Sequence, residues 1–167
     1  QLYVIGAGNS FGMTLGTSEE FFPSVPEIKA WTRISYGGTA DVMVGDDYYQ
    51  AAEISVDTNF FKFFDYRLTG CPKDNVLENE DEVILSESFA KKVFGNEDPI
   101  GRTLSVDKSK WTVVGGVEDF GPVDVFNHCD MFTSIKRAQR RFAWMDNFGN
   151  TIPIVRLDEG TDVEKVR

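Results

Sequence analysis

Two cysteines and one histidine in 167 residues leave this chain poorly equipped for thiol or metal chemistry. A closed zinc site needs four ligands, and no second His or Cys cluster accompanies His128 and Cys129 to complete one. No apolar run reaches the roughly 18 residues that a membrane-crossing helix requires. No positively charged start followed by an apolar core marks a secretory signal. Positive charge is also scarce, with 17 Lys and Arg against 27 Asp and Glu and a net charge of −10. Binding to nucleic acid depends on Lys and Arg neutralising phosphates, so the lack of a long basic stripe excludes that class of partner. Internal repeats and low-complexity tracts are missing too. What is present is an apolar content of 41%, enough for a sizeable core in one domain or two small lobes.

Residues 82–120 are the most informative stretch. Residues 82–85 are a short β-type run, and Ser86 then offers a side-chain oxygen to a free amide at a helix start. Glu87 lies in the first turn and Lys91 and Lys92 in the last, opposing the partial charges of the helix ends. Phe89, Ala90, Val93 and Phe94 form one apolar stripe. Gly95 follows, where a positive φ is open to glycine, and Pro99 is too close for the helix to resume. Residues 103–106 and 111–117 flank the polar turn 107–110 with Trp111, Val113 and Val117 on one face, which predicts a β-hairpin.

Elsewhere the pattern predicts a strand over 2–5, a glycine-rich loop or irregular strand to Gly16, and a helix entry over 17–20 kept short by Pro23 and Pro26. Residues 28–36 alternate as a strand. Residues 40–44 and 48–56 form a second hairpin around Gly45, Asp46 and Asp47. A short helix follows Asp57, with Phe60, Phe63 and Phe64 on its buried face and Phe61 left exposed or facing a partner. Residues 70–81, carrying Pro72 and an acidic run, read as a surface loop. Residues 130–135 read as a strand, 136–144 as a helix and 151–157 as a returning strand. Thr161 and Glu164 have the spacing of a capping box, so a helix is expected to continue past Arg167. Strands and helices mixed in this order predict an α+β fold with mixed sheets and short helices.

Several constellations invite a chemical reading. Gly6, Gly8 and Gly12 follow a strand as in a dinucleotide-binding turn, but the third glycine is one place late and no helix opens after it. His128, Cys129 and Asp130 are consecutive, and consecutive extended residues point to opposite faces. Ser86 and Ser88 lack a nucleophile-elbow context, and capping accounts for Ser86. Asp46 and Asp47 are hairpin-turn residues. Glu118 and Asp119 form a carboxylate pair at a strand end without a partner group. Lys136, Arg137, Arg140 and Arg141 share a helix face, read first as solvated and second as a contact for an acidic neighbour or lipid head groups. Cys71 and Cys129 could be bridged outside the cytoplasm, though nothing in the sequence brings them together. No residue is therefore assigned as catalytic, cofactor-binding or metal-binding.

Five motifs in one order carry a resemblance. They are Ile54-Ser-Val-Asp57 running into Asn59-Phe-Phe61; the helix Leu85-Ser-Glu-Ser-Phe-Ala-Lys-Lys-Val-Phe-Gly95; the turn Asp98-Pro-Ile-Gly101; Trp111-Thr-Val-Val-Gly115 ending in Glu118-Asp-Phe120; and Ile154-Val-Arg-Leu157 with Gly160-Thr-Asp162. Over residues 26–167 the chain resembles the periplasmic core domain of MacB-type permeases, the FtsX-like branch of ABC transporters; residues 1–25 match less well. The resemblance implies a two-lobed domain, with residues 1–56 and 121–167 forming a discontinuous membrane-proximal lobe and 57–120 an inserted lobe. It further implies an inner-membrane protein with membrane helices flanking this segment. An ABC ATPase subunit or domain, a periplasmic adaptor or outer-membrane channel, and a second permease copy would be its partners. On that reading the chain is a non-enzymatic part that couples cytoplasmic ATP hydrolysis to movement or export outside the membrane. A secreted or surface ligand-binding or adhesion module, which needs no catalytic residues either, is the alternative.

Overall fold

No proline interrupts residues 27–71, and the centre of the fold grows from that stretch. In a computed structural model, which describes residues 1–4, 6–7, 10–11, 19–141 and 151–162, it forms the long antiparallel pair β4 (Ile28–Val44) and β5 (Asp47–Val56). The two stretches expected at 28–36 and 40–44 run on as one strand. A β-bulge between Tyr36 and Gly38 absorbs the break, and Gly38 takes φ +80°, a conformation that costs glycine little.

The other strands are β1 (Leu2–Val4), β2 (Gly6–Ala7), β3 (Ser10–Phe11), β6 (Leu68–Thr69), β7 (Glu82–Ser86), β8 (Thr103–Val106), β9 (Ser109–Val117), β10 (Met131–Ser134) and β11 (Ile152–Leu157). Among the described residues the helices include α1 (Phe60–Phe64), α2 (Glu87–Phe94) and α3 (Ile135–Arg141), and residues 19–21 are helical ahead of a 3-10 turn at Phe22–Ser24. The fold is α+β, with a mixed sheet and short helices. The sheet order is β1-β11-β4-β5-β10-β7-β9-β6, while β8 pairs with both β4 and β9. Strands from residues 57–120 therefore continue the same ladder as strands from either side of them, joined to it at β10–β7 and at β4–β8.

Because β8 touches both β4 and β9, the ladder closes into a ring of β4, β5, β10, β7, β9 and β8. Every strand of the ring contributes to one buried cluster: Ala40 and Val42, Ala51, Met131, Val83 and Leu85, Trp111 and Val113, Leu104 and Val106. Phe89, Ala90 and Phe94 of α2 pack on the same cluster, as the apolar stripe predicts. The opposite face of the sheet carries a second core, in which Ile34, Ile54, Val56, Ile84 and Phe132 meet α1.

Two expectations are corrected here. Phe61 is fully buried, with its ring 5.3 Å from that of Phe132, and Phe64 is the half-buried member of the group. A five-residue helix enclosed by the sheet on one side and by loop residues on the other has no exposed apolar face to leave. Residues 70–81 are not wholly a surface loop either, since Val76 and Leu77 insert into the same core. At the chain's start β2 and β3 form a two-stranded hairpin within the glycine-rich segment. Ile5, Gly8, Gly12, Thr17, Ser18, Glu164 and residues 142–144 of the helix expected at 136–144 lie outside the described residues.

The local signals of the central block match the structure. Ser86 Oγ accepts a hydrogen bond from the Phe89 amide at 3.3 Å, and Gly95 ends α2 at φ +63° and ψ −125°. The hairpin turn is tighter than the four residues expected. It uses Asp107 and Lys108 alone, both at positive φ, the arrangement whose twist suits a two-residue connection.

Candidate functional site

Buried charge is the first place to look for chemistry, because an ion removed from water must be paired or perform a function. On the ring-facing side of β5, next to Ala51, lie Glu53 and Ser55, opposite Met131 and Thr133 of β10. Ser55 and Thr133 share a hydrogen bond of 2.9 Å, and the Thr133 hydroxyl donates to Glu53 Oε1 at 3.2 Å. From α3, Arg137 Nε donates to the same oxygen at 3.1 Å, while its guanidinium lies 4.1 Å from the centre of the Trp111 ring. A second arm reaches Asp107 in the β8–β9 turn at 3.4 Å. One arginine thus ties α3, β5, β9 and the hairpin turn together over the polar end of the ring interior.

The reading of the basic cluster as a solvated face holds for the exposed Lys136 and Arg140 and is corrected for Arg137. Arg137 is largely buried, Lys136 Nζ donates to the Glu78 carbonyl at 2.9 Å, and Arg140 pairs with Glu80. The acidic neighbours that the cluster was expected to meet belong to this same chain. These groups line an open groove of about 490 Å³ between α3 and residues 78–81, across which Arg140 pairs with Glu80. The Arg141 side chain lies outside the described residues.

A second buried pair links β4 to the start of α1. Asp57 accepts from the Arg33 backbone amide at 2.7 Å, from Nε at 2.8 Å and from Nη2 at 2.7 Å. The exposed Glu19 also takes a bond from Nη2 at 3.1 Å, and the guanidinium lies 5.0 Å from the Trp31 ring centre. Neither Arg33 nor Glu53 is conspicuous in the sequence. The available signal was a charge set inside an apolar run, as in Ala51-Ala-Glu-Ile-Ser-Val56.

The remaining candidates are placed apart or are occupied structurally. His128 stacks on Tyr36, with ring centres 6.1 Å apart. Asp130 Oδ2 accepts from the Ala52 amide at 2.9 Å, and no group of three metal-capable side chains occurs among the described residues. Glu118 pairs with Arg67 at 2.9 Å, whereas Asp119 accepts from the Ser88 amide at 3.0 Å in the first turn of α2. That carboxylate pair is therefore divided between two structural contacts. Cys71 and Cys129 are both free thiols. Burial, assisted by the charges of Asp130 and Asp124, pushes the Cys129 thiol up to about 12, and burial raises Cys71 as well. Asp46 lies in the β4–β5 turn and Asp47 opens β5.

Comparison with known proteins gives the family. The family model for the MacB-like periplasmic core domain matches residues 1–167. The chain belongs to that family. It is a periplasmic core domain of the MacB-like ABC transporter permeases, and none of its described helices is long and apolar enough to cross a membrane. A domain of a candidate permease protein from Porphyromonas gingivalis has the same fold, with a TM-score of 0.74 at 24% identity over 94% of this chain and 72% of that one. The periplasmic region of MacB from Actinobacillus actinomycetemcomitans gives 0.71 at 16% identity, over 99% of this chain and 77% of its own. The extracellular domain of the noncanonic ABC-type transporter YknZ from Gram-positive bacteria gives 0.71 at 11% identity, over 98% and 86%. No curated protein sequence matches the chain.

Proposed function

We propose that this MacB-like domain is the extracytoplasmic lever of an ABC permease. ATP hydrolysis on a cytoplasmic subunit or domain moves it through flanking membrane helices, and it presents docking surfaces to partners outside. The observation that carries this reading is the pairing of β1 with β11 beside β4. Strand β1 pairs with β11, Leu2 opposite Arg156, and the Leu157 amide donates to the Gln1 carbonyl at 3.4 Å. A pull applied at these adjoining strands passes directly into β4, the next strand of the ladder. Its 17 residues reach roughly 50 Å at the usual rise per residue.

A division into 1–56 with 121–167 and an inserted 57–120 is proposed as a description of the chain's path. The ladders β7–β10 and β4–β8 cross that division, so both parts are proposed to move as one body. An ABC ATPase, a periplasmic adaptor or outer-membrane channel, and a second permease copy are the partners this role calls for, at the inner membrane. Spin labels at Asp46, in the turn at the far end of the β4–β5 hairpin, test the reading in the full-length protein reconstituted with its ATPase. The distance between labels on two permease copies is expected to change on addition of ATP. An unchanged distribution, or a gene product without membrane helices on either side of this segment, would overturn it.

A further inference from the structure

The loop between β9 and β10 is ordered by its own bonds yet leaves two valines in solvent. Asp124 organises it: Oδ2 accepts from the Tyr66 hydroxyl at 2.8 Å and Oδ1 from the Phe126 amide at 2.8 Å. The Asp124 amide returns to the Gly121 carbonyl at 2.9 Å, and Asn127 Nδ2 donates to the Pro122 carbonyl at 2.9 Å. Phe126 is buried between Phe60 and Phe64, at ring distances of 5.2 and 5.4 Å, and anchors the loop to the core. The residues on either side of Asp124 are left in solvent, Val123 at 95% exposure and Val125 at 69%. His128 follows in the same loop and stacks on Tyr36, itself 47% exposed. An ordered loop that displays two valines and, through His128, meets an exposed tyrosine needs little further ordering on binding, so an interface made by it loses little entropy.

Charge identifies the occupant. Residues 118–135 contain Glu118, Asp119, Asp124 and Asp130 and neither Lys nor Arg, and with Glu118 paired to Arg67 the other three carboxylates keep this face negative. The elevated proton affinity of the Cys129 thiol, to which Asp130 and Asp124 contribute after burial, reports the same negative field at the base of the loop. An anionic lipid surface would be repelled here, and so would the same face of a second copy. We propose that residues 121–128 with Tyr36 form a docking knob for a protein partner that offers an apolar pocket rimmed by Lys or Arg. The reading stands beside the lever role, since a domain that moves with ATP need not use this face and a docked domain need not move.

A photo-reactive amino acid placed at Val123 of the full-length protein in cells tests it, with the same label at the exposed Asn96 as reference. The expected result is one discrete adduct with a different protein. Its cross-linked peptide should be apolar with flanking Lys or Arg, and salt should lower its yield. A V125D substitution in the labelled chain should reduce that adduct roughly tenfold, as loss of an interface anchor would. An adduct with lipid, an adduct with a second copy, or a pattern at Val123 matching that at Asn96 would overturn the proposal. Thermal unfolding of V125D should stay within about 1 °C of the parent, because the side chain leaves no core contact. Spin-label distances that respond to ATP in a protein without the adduct would reject the knob and keep the lever.

Discussion

Asp57 accepts three hydrogen bonds from Arg33, and both residues are buried. Removing Asp57 takes the buried carboxylate away from Arg33, so Asp57→Ala is expected to cost about 3 kcal/mol in a urea titration. The double variant Arg33→Met, Asp57→Leu should recover much of that loss, because apolar side chains of similar size need no partner. Recovery would show that the pair serves the placement of α1 more than net stability. Cys129 gives a pH-dependent counterpart. Burial above all, then Asp130 and Asp124, raise its thiol to about 12, against about 8.5 in an unfolded chain. The folded state holds this proton more tightly, so its stabilising contribution is complete below about pH 8.5 and declines as pH rises toward 12. The urea midpoint should therefore fall with pH across that window, and Cys129→Ala should flatten the fall. None of these pairings could be read from neighbours in the chain, since Arg33 and Asp57 lie 24 residues apart and Glu53 and Arg137 lie 84 apart.

Helix α2 was legible from end to end, because its determinants are local: a cap at Ser86, charges in the first and last turns, an apolar stripe and a stop at Gly95. Nothing lies within 4 Å of the position that a Cβ on Gly95 would occupy, so a substitution there tests the backbone conformation alone. Gly95→Val is expected to lower stability by about 1–3 kcal/mol, and an unchanged melting temperature would disprove the cap. The β8–β9 turn predicts the opposite sign. Lys108 is held at φ +66°, so Lys108→Gly should raise stability by about 0.5–1 kcal/mol, read as a higher melting temperature. Helix α3 was legible only in part. Its cationic face was evident, but which residue would be covered depended on where β5 and the Asp107 turn came to lie.

Closure of six strands into a ring makes the molecule cooperative. Strand β7 lies between β10 and β9, and β8 bridges β9 to β4, so residues 57–120 cannot separate without breaking ladders shared with both flanking segments. Calorimetry of the 167-residue chain should accordingly show one transition with equal calorimetric and van't Hoff enthalpies. Amides of β7 should be among the slowest to exchange, since both neighbours must open first. Two separated transitions, with 57–120 melting alone, would refute the single-body lever.

The α+β class, the strand and helix positions of the central block, the hairpins and the family resemblance all followed from residue order. Caps, turn residues and alternation act over a few positions and need no distant partner. Tertiary structure alone decided that Phe61, Val76 and Leu77 are core residues, that Arg137 covers Trp111, and that the sheet closes through β8. Each of those outcomes joins residues far apart in the chain, and their contact energy exists only once the intervening strands have paired.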